Sequence, residues 1–117
     1  MARVAIVTGG TRGIGEAICL RLQKQGHIVI ANYAGNEEKA RAFTQRHGIP
    51  AIRWDVGDHE ACIHNCNDIA AEYGAIDIVI NNAGVTRDGV LHKMSFEDWN
   101  EVMRINLGGC FNMAKAT

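Results

Sequence analysis

Short runs of consecutive apolar residues alternate along this chain with longer segments whose apolar residues recur at helical spacing. Four such runs are typical of strands buried on both faces: Val4–Val7, Ile28–Ala31, Ala51–Trp54 and Ile76–Ile80. Because one helical segment separates each run from the next, the order predicts parallel strands joined by right-handed crossovers. The pattern therefore predicts an α/β fold of Rossmann type, a doubly wound parallel sheet.

The predicted helices have recognisable boundary residues. The first covers residues 13–25, and the side chains expected to face the sheet are Ile14, Ala17, Ile18 and Leu22. Side-chain caps for the later helices are expected at Asn36, Asp58 and Ser95. The last helix carries an apolar stripe that we expect to pack against a partner surface: Val102, Met103, Leu107 and Phe111.

Composition narrows the class of protein. The chain has 117 residues, 21% of them charged, and a formal net charge of -1. This size predicts one domain over residues 1–117 without a linker. The absence of a basic run argues against nucleic acid as a partner, and no apolar run reaches the ~18 residues of a membrane span. We expect a cytoplasmic protein.

Four cysteines invite a metal or disulfide interpretation, but the sequence favours neither. His59, Cys62 and Cys66 share a helical face, yet their spacing matches no established zinc pattern. Cys62 and Cys66 instead belong to the apolar stripe of the third helix, which continues through Ile69 and Tyr73. We therefore expect no metal site and interpret these cysteines as small buried hydrophobic residues.

The segment VTGGTRGIG, residues 7–15, carries the clearest chemical signal. Its glycines follow the first strand directly and would let the backbone turn tightly against a ligand. The helix that follows presents unpaired N–H groups to a phosphate. The spacing differs from both the G-x-G-x-x-G fingerprint and the phosphate loop of NTPases. A purely structural turn is the alternative, but the position within a βαβ unit favours dinucleotide binding.

The residues after the second strand bear on the type of dinucleotide. NAD sites usually have an acidic residue there that binds the ribose 2′-hydroxyl, whereas this chain has Asn32, Tyr33 and Ala34. Without a carboxylate, a 2′-phosphate is not repelled, and Arg12 in the glycine segment offers a planar partner for it. Arg12 as a solvated surface residue is the alternative. On balance the pattern favours NADPH.

Two further strand ends carry polar residues at the same edge of the sheet. Asp55 ends the third strand, where its carboxylate would accept a hydrogen bond from an adenine amino group while Val56 packs on the ring. The alternative for Asp55 is a loop cap. The segment NNAG, residues 81–84, follows the fourth strand and suits a tight turn close to a ribose.

Together these segments resemble the short-chain dehydrogenase/reductase family. The resemblance rests on TGGTRGIG, Asp55-Val56, NNAG and Asn106 in RINLGG, which follow the family's order along the whole chain. Within the family, the run NNAGVTRDGVLHKMSFEDW is similar to acetoacetyl-CoA reductases and 3-oxoacyl-[acyl-carrier-protein] reductases. The stretch ANYAGN is more similar to the acetoacetyl-CoA reductases of polyhydroxybutyrate synthesis. The resemblance implies hydride transfer from NADPH to the 3-keto group of an acyl-CoA or acyl-carrier-protein thioester, in a homo-oligomer that is a tetramer.

The resemblance also implies roles for individual residues. The cofactor's phosphates would be surrounded by Gly9, Thr11, Arg12, Gly13, Ile14 and Gly15. The adenine would be held by Asp55 and Val56, and the ribose and nicotinamide would lie along Asn82, Ala83, Gly84, Val85 and Thr86. Asp88 would lie at the mouth of the substrate site. Asn106 would be catalytic, its backbone at a helix bend positioning a water of the proton relay.

The family's catalytic Ser and Tyr-x-x-x-Lys motif do not occur in this sequence. Tyr33 and Tyr73 are followed four positions later by Glu37 and Asp77 instead of Lys. We therefore expect the first half of a larger domain, with the first four strands and their helices and with the fourth strand at an uncovered edge. Such a polypeptide alone is expected to self-associate or be poorly soluble, and to be inactive. A non-catalytic dinucleotide-binding module and a structural half completed by a second chain are the alternatives.

Overall fold

The computed structural model describes residues 2–85 and 93–117. The strands are β1 (Val4–Val7), β2 (Ile28–Tyr33), β3 (Ala51–Arg53) and β4 (Ile76–Ile80). The helices are α1 (Gly13–Lys24), α2 (Glu37–His47), α3 (His59–Tyr73), α4 (Phe96–Val102) and α5 (Gly108–Ala116). A π-helical turn, Met103–Leu107, joins α4 to α5, so these three segments form one continuous bent helix. Relative to the expected boundaries, β2 is two residues longer and β3 one residue shorter.

The sheet has the strand order β3-β2-β1-β4, and every pairing is parallel. This confirms the predicted partial, doubly wound sheet. β1 lies inside the sheet and all four of its residues are buried. β4 lies at an edge of the described sheet, as expected, and its apolar residues are only half-buried.

Apolar side chains cover both faces of the sheet. On one face Val4 and Ile6 of β1 pack with Cys62 and Cys66 of α3 and with Met113 of α5. The prediction that these two cysteines are buried is confirmed. On the other face Val7 packs with Cys19 of α1 and Phe43 of α2. Alternate residues of β1 therefore serve two cores, as a strand period of two requires.

The predicted inner face of α1 is partly wrong. Ile14 is 75% exposed and Ala17 is also exposed, whereas Gly15 and Cys19 are buried. The cause is the close approach of the helix start to the preceding turn, since Gly15 has no side chain to hold the two apart. Ile18 and Leu22 do pack against the core, partly buried.

The three predicted N-caps are confirmed. Each side chain accepts a hydrogen bond from the backbone N–H three residues later, at 3.0–3.1 Å: Asn36, Asp58 and Ser95. These bonds satisfy donors that a helix leaves unpaired at its start. Within the described ranges, no helix is long and apolar enough to cross a membrane.

The bent helix exposes a large apolar stripe. Five side chains are between 37% and 73% exposed: Phe96, Trp99, Met103, Leu107 and Phe111. Their spacing of three or four residues places them along one side of the helix. The predicted stripe is therefore present and is longer than the sequence pattern indicated, because Phe96 and Trp99 extend it, while Val102 is only partly exposed.

Candidate functional site

A cleft lies at the carboxyl edge of the sheet, where the ends of β1, β2 and β3 and the segment after β4 meet. Several predicted site residues line it directly: Gly9, Thr11, Arg12, Asp55, Val56, Ala83, Gly84 and Val85. Gly15 and Asn82 contact Gly9, and Asn106, which is exposed, is hydrogen-bonded to Val85. Gly13 and Ile14 lie exposed at the start of α1. Thr86 and Asp88 lie outside the described residues.

The glycine turn, residues 9–15, joins β1 to α1, and two of its glycines, Gly10 and Gly15, have no space for a side chain. Gly9 and Gly13 have positive φ angles of 61° and 56°, which favour glycine. A Cβ on Gly15 would collide with the carbonyl oxygen of Gly9 and lie 2.6 Å from Nδ2 of Asn82. The start of the turn therefore packs directly against the start of α1, and backbone atoms of the turn face the cleft.

The N-terminus of α1 leaves backbone donors free. Arg12 is the N-cap in an extended conformation, and its side chain makes no capping hydrogen bond. The first helical bond runs from Glu16 N to Arg12 O at 3.1 Å. In the described part of the chain, the N–H groups of residues 13–15 have no acceptor. Free N–H groups at the positive end of a helix dipole can bind a phosphate.

Two buried polar residues that sequence reasoning did not assign hold the turn in place. Thr8 Oγ1 accepts hydrogen bonds from the backbone N–H groups of Asn82 and Ala83 at 3.0 and 2.9 Å. Asn32 Oδ1 accepts from Gly9 N at 3.2 Å, and its Nδ2 donates to Trp54 O at 2.9 Å. Asn32 therefore braces the ends of three strands. It is only 2% exposed and lines the cleft together with Tyr33 and Ala34.

Two cations border the cleft near the end of β2. Arg12 was expected there, whereas Lys39, in the first turn of α2, was not; both line the cleft together with Ala34 and Gly35. Among residues 2–85 and 93–117, neither the Arg12 nor the Lys39 side chain makes an ion pair. The position of Lys39 three residues after the cap at Asn36 was the available signal, because it places the side chain in a first helical turn beside the strand end.

Asp55 is engaged on both carboxylate oxygens. Oδ1 accepts from Gly57 N at 2.8 Å, and Oδ2 accepts from Nη1 of Arg104 at 2.8 Å. Arg104 also donates to Glu101, from Nε at 3.2 Å and from Nη2 at 2.7 Å. The hydrogen bonds that Arg104 donates to Glu101, and then to Asp55, raise the pKa of Arg104 above its ordinary value, although its partial burial acts in the opposite direction. No sequence signal pointed to Arg104, because its partner is 49 residues away.

Asn106, where a bend was expected, lies in the π-helical turn. Such turns often occur at functional sites. Its side chain makes two hydrogen bonds with the backbone of Val85. Oδ1 accepts from Val85 N at 2.8 Å, and Nδ2 donates to Val85 O at 3.0 Å. The bent helix therefore holds the chain after β4 at the edge of the cleft.

A nicotinamide dinucleotide fits this arrangement on structural grounds. The cleft crosses the strand ends beside a turn that has glycines at positive φ. Within residues 2–85 and 93–117, the N–H groups at the start of α1 have no acceptor, and Arg12 and Lys39 have no ion-pair partner. Asp55 keeps further lone pairs available, since a carboxylate can accept about four hydrogen bonds.

Comparisons with known proteins give a consistent result. The sequence profile of the short chain dehydrogenase family matches residues 3–117. Acetoacetyl-CoA reductases of Rhizobium meliloti (strain 1021) and Paracoccus denitrificans are 54% and 50% identical, each over 97% of this chain and 47% of the relative. A 3-oxoacyl-[acyl-carrier-protein] reductase of Staphylococcus aureus (strain Mu50 / ATCC 700699) is 39% identical, over 100% of this chain and 50% of the relative.

Solved structures agree with the sequence relatives. A mutant short-chain dehydrogenase/reductase of Serratia marcescens superposes with a TM-score of 0.91 at 30% identity, over 97% of this chain and 49% of that one. A short-chain dehydrogenase of Streptomyces avermitilis superposes with a TM-score of 0.89 at 28% identity, over 98% of this chain and 43% of that one. This chain thus spans about half the length of the curated relatives it matches. The sheet order, the glycine turn and the profile match over residues 3–117 show that the chain belongs to the short-chain dehydrogenase family.

Proposed function

We propose that this chain is the dinucleotide-binding part of an NADPH-dependent reductase of 3-oxoacyl thioesters, and that residues 1–117 belong to one domain. The observation that carries the proposal is the glycine turn, with free helix N–H groups and with Arg12 and Lys39 beside it. No carboxylate occupies positions 32–34, where a 2′-phosphate would approach.

NADPH supplies a hydride, and the residues of this chain bind and orient the molecule that carries it. The turn at residues 9–15, which includes Ile14, would surround the pyrophosphate. Arg12 and Lys39 would pair with the 2′-phosphate, since their charges have no other partner in the described part of the chain. Asp55 and Val56 would hold the adenine, while Asn82 to Thr86 would border the ribose and nicotinamide.

Asn106 would assist proton delivery through its position in the bend. The π-helical turn alters the regular backbone bonding of the helix at this residue. The backbone carbonyl of Asn106 accepts a hydrogen bond from Sγ of Cys110 at 3.3 Å and has a second lone pair, which would hold a water of a proton relay to the substrate. The 117 residues contain no Tyr with Lys four positions later, so the proton donor would come from elsewhere, and the 117-residue polypeptide alone would not turn over substrate.

The substrate that best fits the relatives is acetoacetyl-CoA, reduced to (R)-3-hydroxybutyryl-CoA. This rests on the names of the relatives at 54% and 50% identity. Reduction of 3-oxoacyl-[acyl-carrier-protein] is the second candidate, favoured by the relatives at 39% identity. Asp88 would lie at the mouth of the substrate site in either case.

The test is a pair of turnover assays on the protein expressed from its complete gene. Oxidation of NADPH is followed with acetoacetyl-CoA and, separately, with the same acyl group on acyl carrier protein. A kcat/KM at least tenfold higher for the CoA thioester supports the first candidate, and the reverse preference supports the second. Tight NADPH binding without turnover of either thioester would instead favour a non-catalytic dinucleotide-binding module.

We also propose that the exposed stripe of the bent helix is a subunit interface of a cytoplasmic homotetramer. Five large apolar side chains along one helix side are more than a monomer usually leaves in water. The four cysteines are all free, which suits the reducing conditions of the cytosol. Light scattering of the protein from the complete gene would contradict the assembly if it gave the mass of a single chain.

A further inference from the structure

The loop after β3, residues 54–58, is held largely by the bent helix. Arg104 donates to the Asp55 carboxylate, and Asn112 of α5 donates from Nδ2 to Val56 O at 2.8 Å. Between them, the backbone of α5 packs on Val56, because a Cβ on Gly109 would lie 2.8 Å from Cγ2 of that valine. The two residues proposed to hold the adenine are thus positioned from the far end of the chain.

The orientation of Arg104 is itself fixed. Its Nε and Nη2 are used by Glu101, which leaves Nη1 directed at Asp55. A planar guanidinium bound at two edges has little rotational freedom, so the direction of the bond to Asp55 is set. Gly57 allows this approach, since a Cβ there would collide with Nη1 of Arg104.

The bond to Arg104 leaves Asp55 able to bind a ligand. Among the described residues, each carboxylate oxygen accepts one bond, from Gly57 N or from Arg104, and retains a second lone pair. The Asp55 side chain is 45% exposed, so the remaining lone pairs reach the cleft. A carboxylate bound on both oxygens also points in one direction before the ligand arrives, which reduces the entropy lost on binding.

We propose that Arg104 is a positioning residue for the adenine end of the cofactor cleft and acts by fixing the Asp55 carboxylate. The same π-helical turn carries Asn106, which holds Val85, another residue of the cleft lining. In the proposed binding mode, one turn of helix would therefore fix a residue on the adenine side and a residue on the nicotinamide side. This inference rests on the proposed function, because it takes the ligand to be an adenine dinucleotide.

The experiment uses the protein expressed from its complete gene and two probes that each represent one end of the cofactor. The probes are 2′,5′-ADP, which has the adenine, and reduced nicotinamide mononucleotide, which lacks it. Calorimetric titration of Arg104→Gln should show about fivefold weaker binding of 2′,5′-ADP, as expected when a partner that orients a binding carboxylate is removed. Binding of the mononucleotide should change less than twofold. Arg21→Gln, at an exposed position in the last turn of α1, is the matched control and should change neither.

Two further variants separate positioning from a merely structural role. Asp55→Asn combined with Arg104→Gln should bind 2′,5′-ADP no more weakly than Asp55→Asn alone, because Arg104 acts through Asp55. Arg104→Lys keeps the charge without the planar group, and it should recover part of the loss and remain folded if the Gln variant does not. The inference would be overturned if the losses of affinity in the double variant were additive, or if Arg104→Gln weakened both probes equally. It would also be overturned if Arg104→Gln and Arg104→Lys both bound 2′,5′-ADP as tightly as the unmodified protein. Failure of the unmodified protein to bind 2′,5′-ADP would instead contradict the proposed function.

Discussion

The glycine turn and the bent helix both border the cofactor cleft, but they are built in opposite ways. The turn works through missing side chains: Gly9 needs a positive φ, and Gly15 lies against the Gly9 carbonyl. The bent helix works through long polar side chains, since Arg104 reaches Asp55 and Asn106 reaches Val85. The turn follows a strand whose residues are all buried, whereas α4 has no buried residue.

Because of this difference, the two regions should tolerate different kinds of substitution. A backbone site such as Gly15 fails when a side chain is added, because the new Cβ would meet a backbone oxygen that cannot move away. A side-chain site fails when a specific group is removed, and partial replacement restores part of its function. The following predictions compare the two regions through these two kinds of change.

The largest effect is expected for Gly15→Ala in the glycine turn. The new Cβ would overlap Gly9 O, so we expect a loss of about 1–3 kcal/mol of stability from overpacking and no measurable NADPH binding. Chemical denaturation and calorimetric titration check the two results. Gly108→Ala is the control in the bent helix, where φ is -61° and the nearest atom to a Cβ is 3.7 Å away. If Gly15→Ala bound NADPH normally, the turn would not approach the cofactor.

The next effect is expected for Asn106→Ala in the bent helix. The variant loses the side-chain pair with Val85 that holds the bend, and the backbone that arranges proton transfer would shift. We therefore expect kcat to fall by about a hundredfold, while the Kd for NADPH changes only severalfold. Steady-state kinetics combined with equilibrium binding measures the two quantities separately. Asn100→Ala, exposed in α4, is the control. Equal losses in kcat and cofactor affinity would show that Asn106 only braces Val85.

Arg12→Ala tests charge at the edge of the glycine turn. It should weaken NADPH more than NADH, by about 1.5–3 kcal/mol, because only NADPH has the 2′-phosphate. Binding of both cofactors to the variant and to Lys39→Ala would show how the two cations share this energy. Equal loss for both cofactors would contradict the assignment of Arg12 to the 2′-phosphate.

The smallest effect is expected on the stability of the protein at alkaline pH. It compares one buried thiol beneath the glycine turn with one beneath the bent helix. Burial, followed by the charge of Glu16, raises the pKa of Cys19 beneath the glycine turn from 9.0 to about 12. Burial raises the pKa of Cys66, in the layer of α3 and α5, from 9.0 to about 11. Because both folded-state pKa values are raised, this contribution to stability is complete below pH 9 and is lost as the pH rises toward 11 and 12. Each thiol should contribute a slope of about 1.4 kcal/mol per pH unit in that window.

Urea denaturation between pH 8 and pH 10.5 checks this prediction. Cys19→Ala and Cys66→Ala should each show a shallower decline of stability with pH than the unmodified protein. Cys110→Ala, at a partly exposed position, should leave the slope unchanged. A decline that is identical in all four proteins would mean that the buried thiols do not determine it.

The sequence pattern predicted features that depend on neighbours in the chain. The strand order and the caps at Asn36 and Asp58 follow from apolar periodicity and local hydrogen-bonding residues. It did not predict contacts between distant side chains, such as Arg104 with Asp55. The face of α1 was wrong at Ile14 because periodicity ranks an isoleucine above a glycine for burial, whereas close packing here requires the glycine.

The most direct test of the central claim is a calorimetric titration of the unmodified protein, expressed from its complete gene, with NADPH and with NADH at low and high salt. A cleft formed by an open glycine turn, with Arg12 and Lys39 beside it, should bind NADPH at least about tenfold more tightly at low salt. The difference should shrink at high salt as the charges are screened. Equal affinity for the two cofactors, or binding of neither, would contradict the account.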